Sequence, residues 1–387
     1  MGKYDFDTPV DRAGTHSLKW EQCSGVLPMW VADMDLKTAP EITDAIIKRA
    51  NNGIFGYSVI PDEWYDAYIS HWDKRHGYRF KKEGLVYSAG VVPTISSAVR
   101  KLTTPNENVV LMTPVYNIFY NSVQNNGRKV LQSPLVYENG TYRIDFDDLE
   151  RKLSDPQTSM LLLCNPQNPA GIIWSAAELE RIGELAFDNG VIVISDEVHC
   201  DLTFPGKEYV PFVSVSDKCR QCSITCIAPT KAFNIAGLQT SAAYSENPVL
   251  RHRIWRSLNT DELGEPNAFA IDATVAAFEK GVDWLDELRE YIYKNKCIAD
   301  EYIKSNMPKV KLYPSDATYL LWLDISEYNV RSSRFSGKLR KEYGLFLSDG
   351  SIYGGNGEEF LRMNIACPSE YVREGLERLK KALDDIG

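Results

Sequence analysis

Residues 190–197 read GVIVISDE, a short apolar run rich in β-branched side chains that closes on two carboxylates. The run is too short for a surface helix and carries no alternation of apolar and polar positions, which predicts a strand buried on both faces. The segment before it, SAAELERIGELAFDNG at 175–190, opens with Ser175 and Glu178 in capping-box spacing and closes on a glycine, the pattern of an amphipathic helix. Three more runs repeat the strand pattern: NVVLMTP at 108–114, SMLLLCNP at 159–166 and SITCIAPT at 223–230. Such alternation of buried strands and amphipathic helices predicts an α/β fold with a mostly parallel sheet covered on both faces.

The strand ends carry polar chemistry. They finish in Thr113-Pro114-Val115-Tyr116, Asn165-Pro166, Asp196-Glu197 and Thr230-Lys231. Open α/β sheets bind ligands beyond the carboxyl ends of their strands, so these four terminations are expected to line one pocket.

The tail has a different texture. YLLWLDIS at 319–326, EYGLFLSDG at 342–350 and FLRMNIACP at 360–368 read as strands, followed by an amphipathic helix, SEYVREGLERLKKALDD. We expect a large domain over 46–284 and a smaller α+β domain over 285–387, to which an N-terminal segment, 1–45, returns.

The chain has 387 residues, 44% of them apolar, enough for more than one core. A net charge of −10, with both signs interspersed, gives no basic footprint for nucleic acid or an anionic membrane. No apolar stretch is long enough to span a bilayer and the N-terminus lacks the pattern of a signal peptide, so a cytoplasmic protein is expected. The eight cysteines lack the density of a disulfide scaffold. Cys219, Cys222 and Cys226 have no fourth ligand at a matching interval, so packed thiols are expected there rather than a metal site.

Taken singly, each polar residue has an ordinary reading. Asp196 could cap a helix or form an ion pair, Lys231 could be a solvated loop cation, and Tyr116 could pack in the core. NPQNPAG at 165–171 could be a plain turn, and SAGVVP at 88–93 merely a helix start. Together they supply an amine for a Schiff base, a carboxylate for a pyridinium nitrogen and an asparagine amide for a phenolic oxygen. They also supply a stacking ring, and free amides near Val91 and Val92 for a phosphate. That set suits pyridoxal phosphate. No glycine-rich dinucleotide fingerprint follows an early strand, which disfavours a nicotinamide dehydrogenase.

In these motifs, together with LPMWVADMD at 27–35, GIFGYS at 53–58, TPVY at 113–116, SDEVHCD at 195–201 and TKAFNIAGLQ at 230–239, the sequence resembles the fold-type I pyridoxal-phosphate enzymes of the aspartate aminotransferase superfamily. Within it, the sequence looks most like the cystathionine β-lyase branch. The resemblance implies Lys231 as the Schiff-base lysine and proton carrier, Asp196 as the ring-nitrogen partner, Asn168 and His199 beside the phenolic oxygen, and Tyr116 stacked on the ring. It implies phosphate contacts from Thr230 and the amides of Val91 and Val92. Tyr57 would complete the catalytic set from a partner subunit, hence a homodimer. Arg362 would grip the substrate carboxylate, with Trp30 and Asp33 near the substrate, although Trp30 could equally be core. Two positions depart from the wider superfamily: Gln239 stands where aminotransferases place a phosphate-binding arginine, and Ala170 replaces a common threonine. The activity implied is β-elimination from cystathionine or a related cysteine S-conjugate, giving pyruvate, ammonia and a thiol. Transamination of L-amino acids and a non-catalytic regulatory role are the alternatives.

Overall fold

The computed structural model describes residues 2–21, 23 and 25–386. A central sheet is built from β1 (Leu85–Ser88), β2 (Asn108–Thr113), β3 (Lys129–Pro134), β4 (Thr158–Cys164), β5 (Ile192–Asp196), β6 (Ser223–Ile227) and β7 (Ser241–Tyr244). Their order is β1-β7-β6-β5-β4-β2-β3, and β7 alone runs against the rest. The four strands expected from the sequence form the middle of this mostly parallel α/β sheet.

Alternate residues of those strands feed two cores, as the pleat requires. Val109, Leu111, Met160, Leu162, Ile194 and Ile224 face one side, where they pack with Ile95, Ala98 and Val99 of helix α1 (Val91–Leu102). Val110, Met112, Leu161, Leu163 and Val193 face the other and meet Leu179, Ile182 and Ala186 of helix α2 (Ala176–Asp188). The capping box foreseen for α2 is present: the Glu178 N–H donates to Ser175 Oγ, and the Ser175 N–H donates back to the Glu178 carboxylate. Such a cap contributes about 1 kcal/mol. Further along α2, Gly183 is required by proximity, since a Cβ there would lie 2.2 Å from Cys219 Sγ. Cys219, Cys222 and Cys226 are buried free thiols. Across β4, β5 and β6 the register places Cys164, Asp196 and Cys226 in one row.

A second, antiparallel sheet contains β8 (Lys311–Leu312), β9 (Leu320–Asp324), β10 (Ser348–Asp349) and β11 (Phe360–Asn364) in the order β8-β9-β11-β10. Helices α3 (Val282–Asn306) and α4 (Ser369–Asp384) pack beside it through Leu288, Ile292, Ala299, Leu376 and Leu379. Helix α3 is continuous across 284/285, where the sequence suggests a division. The N-terminal chain packs beside this sheet: Leu27–Pro28 pairs in parallel with Leu345–Phe346 as a separate two-stranded sheet, the Asn364 N–H donates to the Met29 carbonyl, and the Asp35 N–H donates to the Ala366 carbonyl. Among the described residues no helix is long and apolar enough to cross a membrane.

Candidate active site

The carboxyl ends of the central strands meet the N-terminus of α1 around a cavity of about 210 Å³. Val91, Val92, Tyr116, Asn168, Asp196, His199, Thr230 and Lys231 all line it, together with Gln239 and Ala32. Gly90 precedes α1 with φ +156°, a conformation that favours glycine, and no side chain caps the helix. The first amides of α1 are therefore directed at the cavity without a competing acceptor, the arrangement that suits a phosphate.

Burial governs the charges. Asp196 ends β5 at 4% exposure, and among the described residues the one hydrogen bond to its carboxylate comes from the Val198 N–H at 3.2 Å. So poorly solvated, its carboxyl is pushed up to about 6, with the Val198 bond and the Lys231 charge opposing the rise. Lys231 Nζ donates to the Ala32 carbonyl at 2.7 Å. Burial, then the Arg362 charge, lowers the amine to about 8, against the pull of Asp33 and Asp196. Burial likewise holds His199 down at about 3, helped by the charges of Lys231 and Arg362. Its ring is thus neutral at physiological pH, and its buried Nδ1 has no partner.

Arg362 on β11 approaches the site from the second sheet through Asn168, which lines the cavity. Nη1 donates to Asn168 Oδ1 at 3.0 Å and Nη2 to the Trp30 carbonyl at 2.7 Å, while Nε is buried without a partner. Because Arg362 occupies Oδ1 of Asn168, the amide nitrogen is left as the donor facing the cavity. Asn165, the other asparagine of the NPQNPAG motif, does not offer its amide to the cavity: its Nδ2 donates to the Val210 carbonyl at 2.9 Å. The reason is positional, since Asn165 directly follows β4 on the side where Glu197 and Tyr209 form a buried polar pair.

Four expected residues lie outside the lining: Arg362, Trp30, Asp33 and Tyr57. Trp30 stacks on Phe346 with ring centroids 4.7 Å apart, so its ring is packing and its carbonyl is what touches Arg362. Asp33 pairs with Arg12 at 3.0 Å. Tyr57 is 99% exposed and within this chain does not reach the cavity. A wider cleft, about 1230 Å³, lies around His71, Arg75, His76 and Arg289. There His71, His76 and Arg75 all place a nitrogen within 3.1 Å of one oxygen of buried Asp201.

A profile of the family described as aminotransferase class I and II matches residues 25–379. The chain belongs to the aminotransferase class I and II family. Among its relatives in the family, it is 43% identical to cystathionine beta-lyase PatB of Bacillus subtilis, over 98% of this chain and 100% of that one. It is 31% identical to protein MalY of Escherichia coli, over 98% and 99%. Among solved structures, cystalysin from Treponema denticola, which contains a pyridoxal 5′-phosphate cofactor, superposes with a TM-score of 0.95 at 32% identity, covering 99% of this chain and 100% of that one.

Sequence reading of this aminotransferase-family chain missed two participants. One is the backbone of 30–34, whose carbonyls meet Lys231 and Arg362; a carbonyl leaves no mark in a sequence. The other is Tyr319, fully buried beside His199, whose hydroxyl donates to the Ala32 carbonyl at 3.0 Å. Its position at the start of β9, facing a strand end of the other sheet, is set by tertiary packing alone.

Proposed function

We propose that this chain binds pyridoxal 5′-phosphate in the 210 Å³ cavity and catalyses β-elimination from cystathionine or a related cysteine S-conjugate, releasing pyruvate, ammonia and a thiol. The observation that carries the reading is the meeting, in one cavity, of an amine lowered to about 8 with a buried carboxylate that has no cationic hydrogen-bond donor. The residues fit the cofactor. Asp196 would take a protonated ring nitrogen, Asn168 Nδ2 and His199 would face its phenolic oxygen, and Tyr116 would stack on the ring. The amides of Val91 and Val92, with Thr230, would hold the phosphate.

Bound there, the cofactor supplies an electrophilic carbon for the substrate amine and a ring that takes up the electrons left when Cα loses its proton. Arg362 binds the substrate carboxylate through its guanidinium, whose Nε has no partner within the chain, and so orients Cα. Lys231, partly neutral near physiological pH, takes the Cα proton. Asp196 keeps a proton at the ring nitrogen, and the neutral His199 offers at most one N–H, so it adds no competing charge. With Cα deprotonated, the electrons of the Cβ–S bond leave with sulfur as thiolate. Gln239 lines the cavity in place of a cation, so phosphate binding rests on amides and hydroxyls, which supports the lyase reading over a standard aminotransferase.

The site is completed by a second copy of the chain. Ile54, Phe55, Tyr57 and Val59 form an exposed apolar run, at 57–99% exposure, that water solvates poorly. Covering it in a homodimer would bring Tyr57 to the neighbouring cavity.

The test is purified protein with L-cystathionine and no keto acid. Repeated turnover to pyruvate is expected; one turnover, restored by added keto acid, would replace this reading with transamination. Lys231→Ala is expected to abolish turnover, and borohydride treatment of the wild type should leave a pyridoxyl group on Lys231.

A further inference from the structure

Residues 29–36 have no regular secondary structure and are buried or half-buried, so carbonyls turned away from water need a donor from elsewhere. Each of five consecutive carbonyls has one. Trp30 accepts from Arg362 Nη2 at 2.7 Å, and Ala32 from Lys231 Nζ at 2.7 Å. Val31 and Asp33 both accept from Asn364 Nδ2 at 2.6 Å, and Met34 from Asn234 Nδ2 at 3.1 Å. The loop therefore meets both cations on which the proposed chemistry depends, one from each sheet.

What fixes the loop from its outer side is ionic. Lys19 Nζ lies 2.6 Å from Asp35 Oδ2, and these side chains are 1% and 3% exposed. Arg12 bridges Asp35 at 2.8 Å and Asp33 at 3.0 Å, and Trp20 Nε1 donates to Asp35 at 2.8 Å. A buried ion pair gives little net stability compared with an apolar replacement of the same size, but its hydrogen bonds tolerate few geometries. Packing alone would hold residues 29–36 at this depth; the pairs select which way the carbonyls point.

We infer that Lys19, Arg12 and Asp35 are positioning residues, which act through the 30–34 carbonyls to aim Lys231 Nζ and the Arg362 guanidinium. This rests on the proposed role of the cavity as a cofactor site. None of the three touches the cavity lining, and their effect on the reaction passes through the Ala32 and Trp30 carbonyls.

The test compares Lys19→Met, Asp35→Asn and the K19M/D35N double variant as holoenzymes. Three quantities are read: the urea midpoint, kcat and KM for the reaction the wild type performs, and the pH at which the absorbance of the bound cofactor titrates. Each single variant deprives a buried charge of its 2.6 Å partner and is expected to lower the urea midpoint. The double variant removes both charges and is expected to regain most of that midpoint. Its kcat/KM should nevertheless stay at least about 30-fold below wild type, the scale of misplacing reacting groups by a fraction of an ångström. Its absorbance titration should shift by about half a pH unit or more, which a purely structural role would not produce. Recovery of midpoint, kcat/KM and titration together in the double variant would overturn the inference. Arg12→Gln, at the edge of the cluster, provides a second arm if the double variant does not fold. The folded Arg12→Gln protein is expected to lose about 10-fold in kcat/KM, and wild-type values with an unshifted titration would overturn the inference. The comparison holds whether the wild type eliminates or transaminates, so failure of the lyase reading and failure of this one are separate results.

Discussion

Replacing Asp196 by asparagine separates what the carboxylate costs the fold from what it contributes to the chemistry. In the cofactor-free chain its carboxyl stands at about 6 instead of 3.8. A rise of two units corresponds to about 3 kcal/mol of penalty on the charged form. Between those two values the folded chain holds more of this proton than the unfolded chain does. The contribution of Asp196 to stability therefore falls as pH rises, with the penalty absent below about 4 and complete above about 6. Asp196→Asn is uncharged and close in shape, and an unpaired amide donor takes back part of the gain. The cofactor-free variant should thus be more stable than the cofactor-free wild type at pH 8 by about 1–3 kcal/mol. Urea unfolding of both proteins from pH 4.5 to 8 measures this, and the difference should shrink steadily towards the acid end. With cofactor bound the order reverses in function, and turnover should fall at least about 1000-fold because the ring-nitrogen proton is no longer held. A cofactor-free variant no more stable than wild type at pH 8, or a difference that ignores pH, would refute the argument that Asp196 is held unpaired in an apolar setting.

Two other outcomes follow from the site. Arg362→Lys should raise KM by about 10–100-fold with a smaller change in kcat, because an ammonium cannot reproduce the fork that binds a carboxylate; unchanged KM in steady-state assays would remove the arginine from substrate binding. A mixture of Tyr57→Ala and Lys231→Ala proteins, each inactive or nearly so, should regain activity after subunit exchange. Up to roughly a quarter of the wild-type rate is expected if every site combines Lys231 of one subunit with Tyr57 of another, and no recovery would place Tyr57 outside the site.

The centre of the fold was readable because β2, β4, β5 and β6 are buried on both faces and have no choice but to be apolar. β1 and β7, at four residues each, are too short to give such a signal, and β7 is also rich in small side chains. β3 lies at the sheet edge with Lys129 and Gln132 exposed, which breaks its apolar run. The site was legible to the same extent. Lys231, Asp196, Asn168 and Tyr116 follow strand ends, so topology brings them together once the sheet is drawn. Asn165 and Asn168 are alike in the sequence, and only the path of the chain after β4 decides that one is structural. Tyr57 stands apart because a single chain does not hold its expected destination. The Lys19–Asp35 pair was not foreseen either, since the two residues are sixteen positions apart and the chain between them must fold before the charges meet.

The row formed by Cys164, Asp196 and Cys226 gives the site a preference among possible guests. A thiol is a feeble donor, so the two sulfurs beside the carboxylate shield it from water without satisfying it. A heteroaromatic ring with a basic nitrogen relieves that electrostatic want on arrival, whereas the carbocyclic ring of the same outline gains nothing from it.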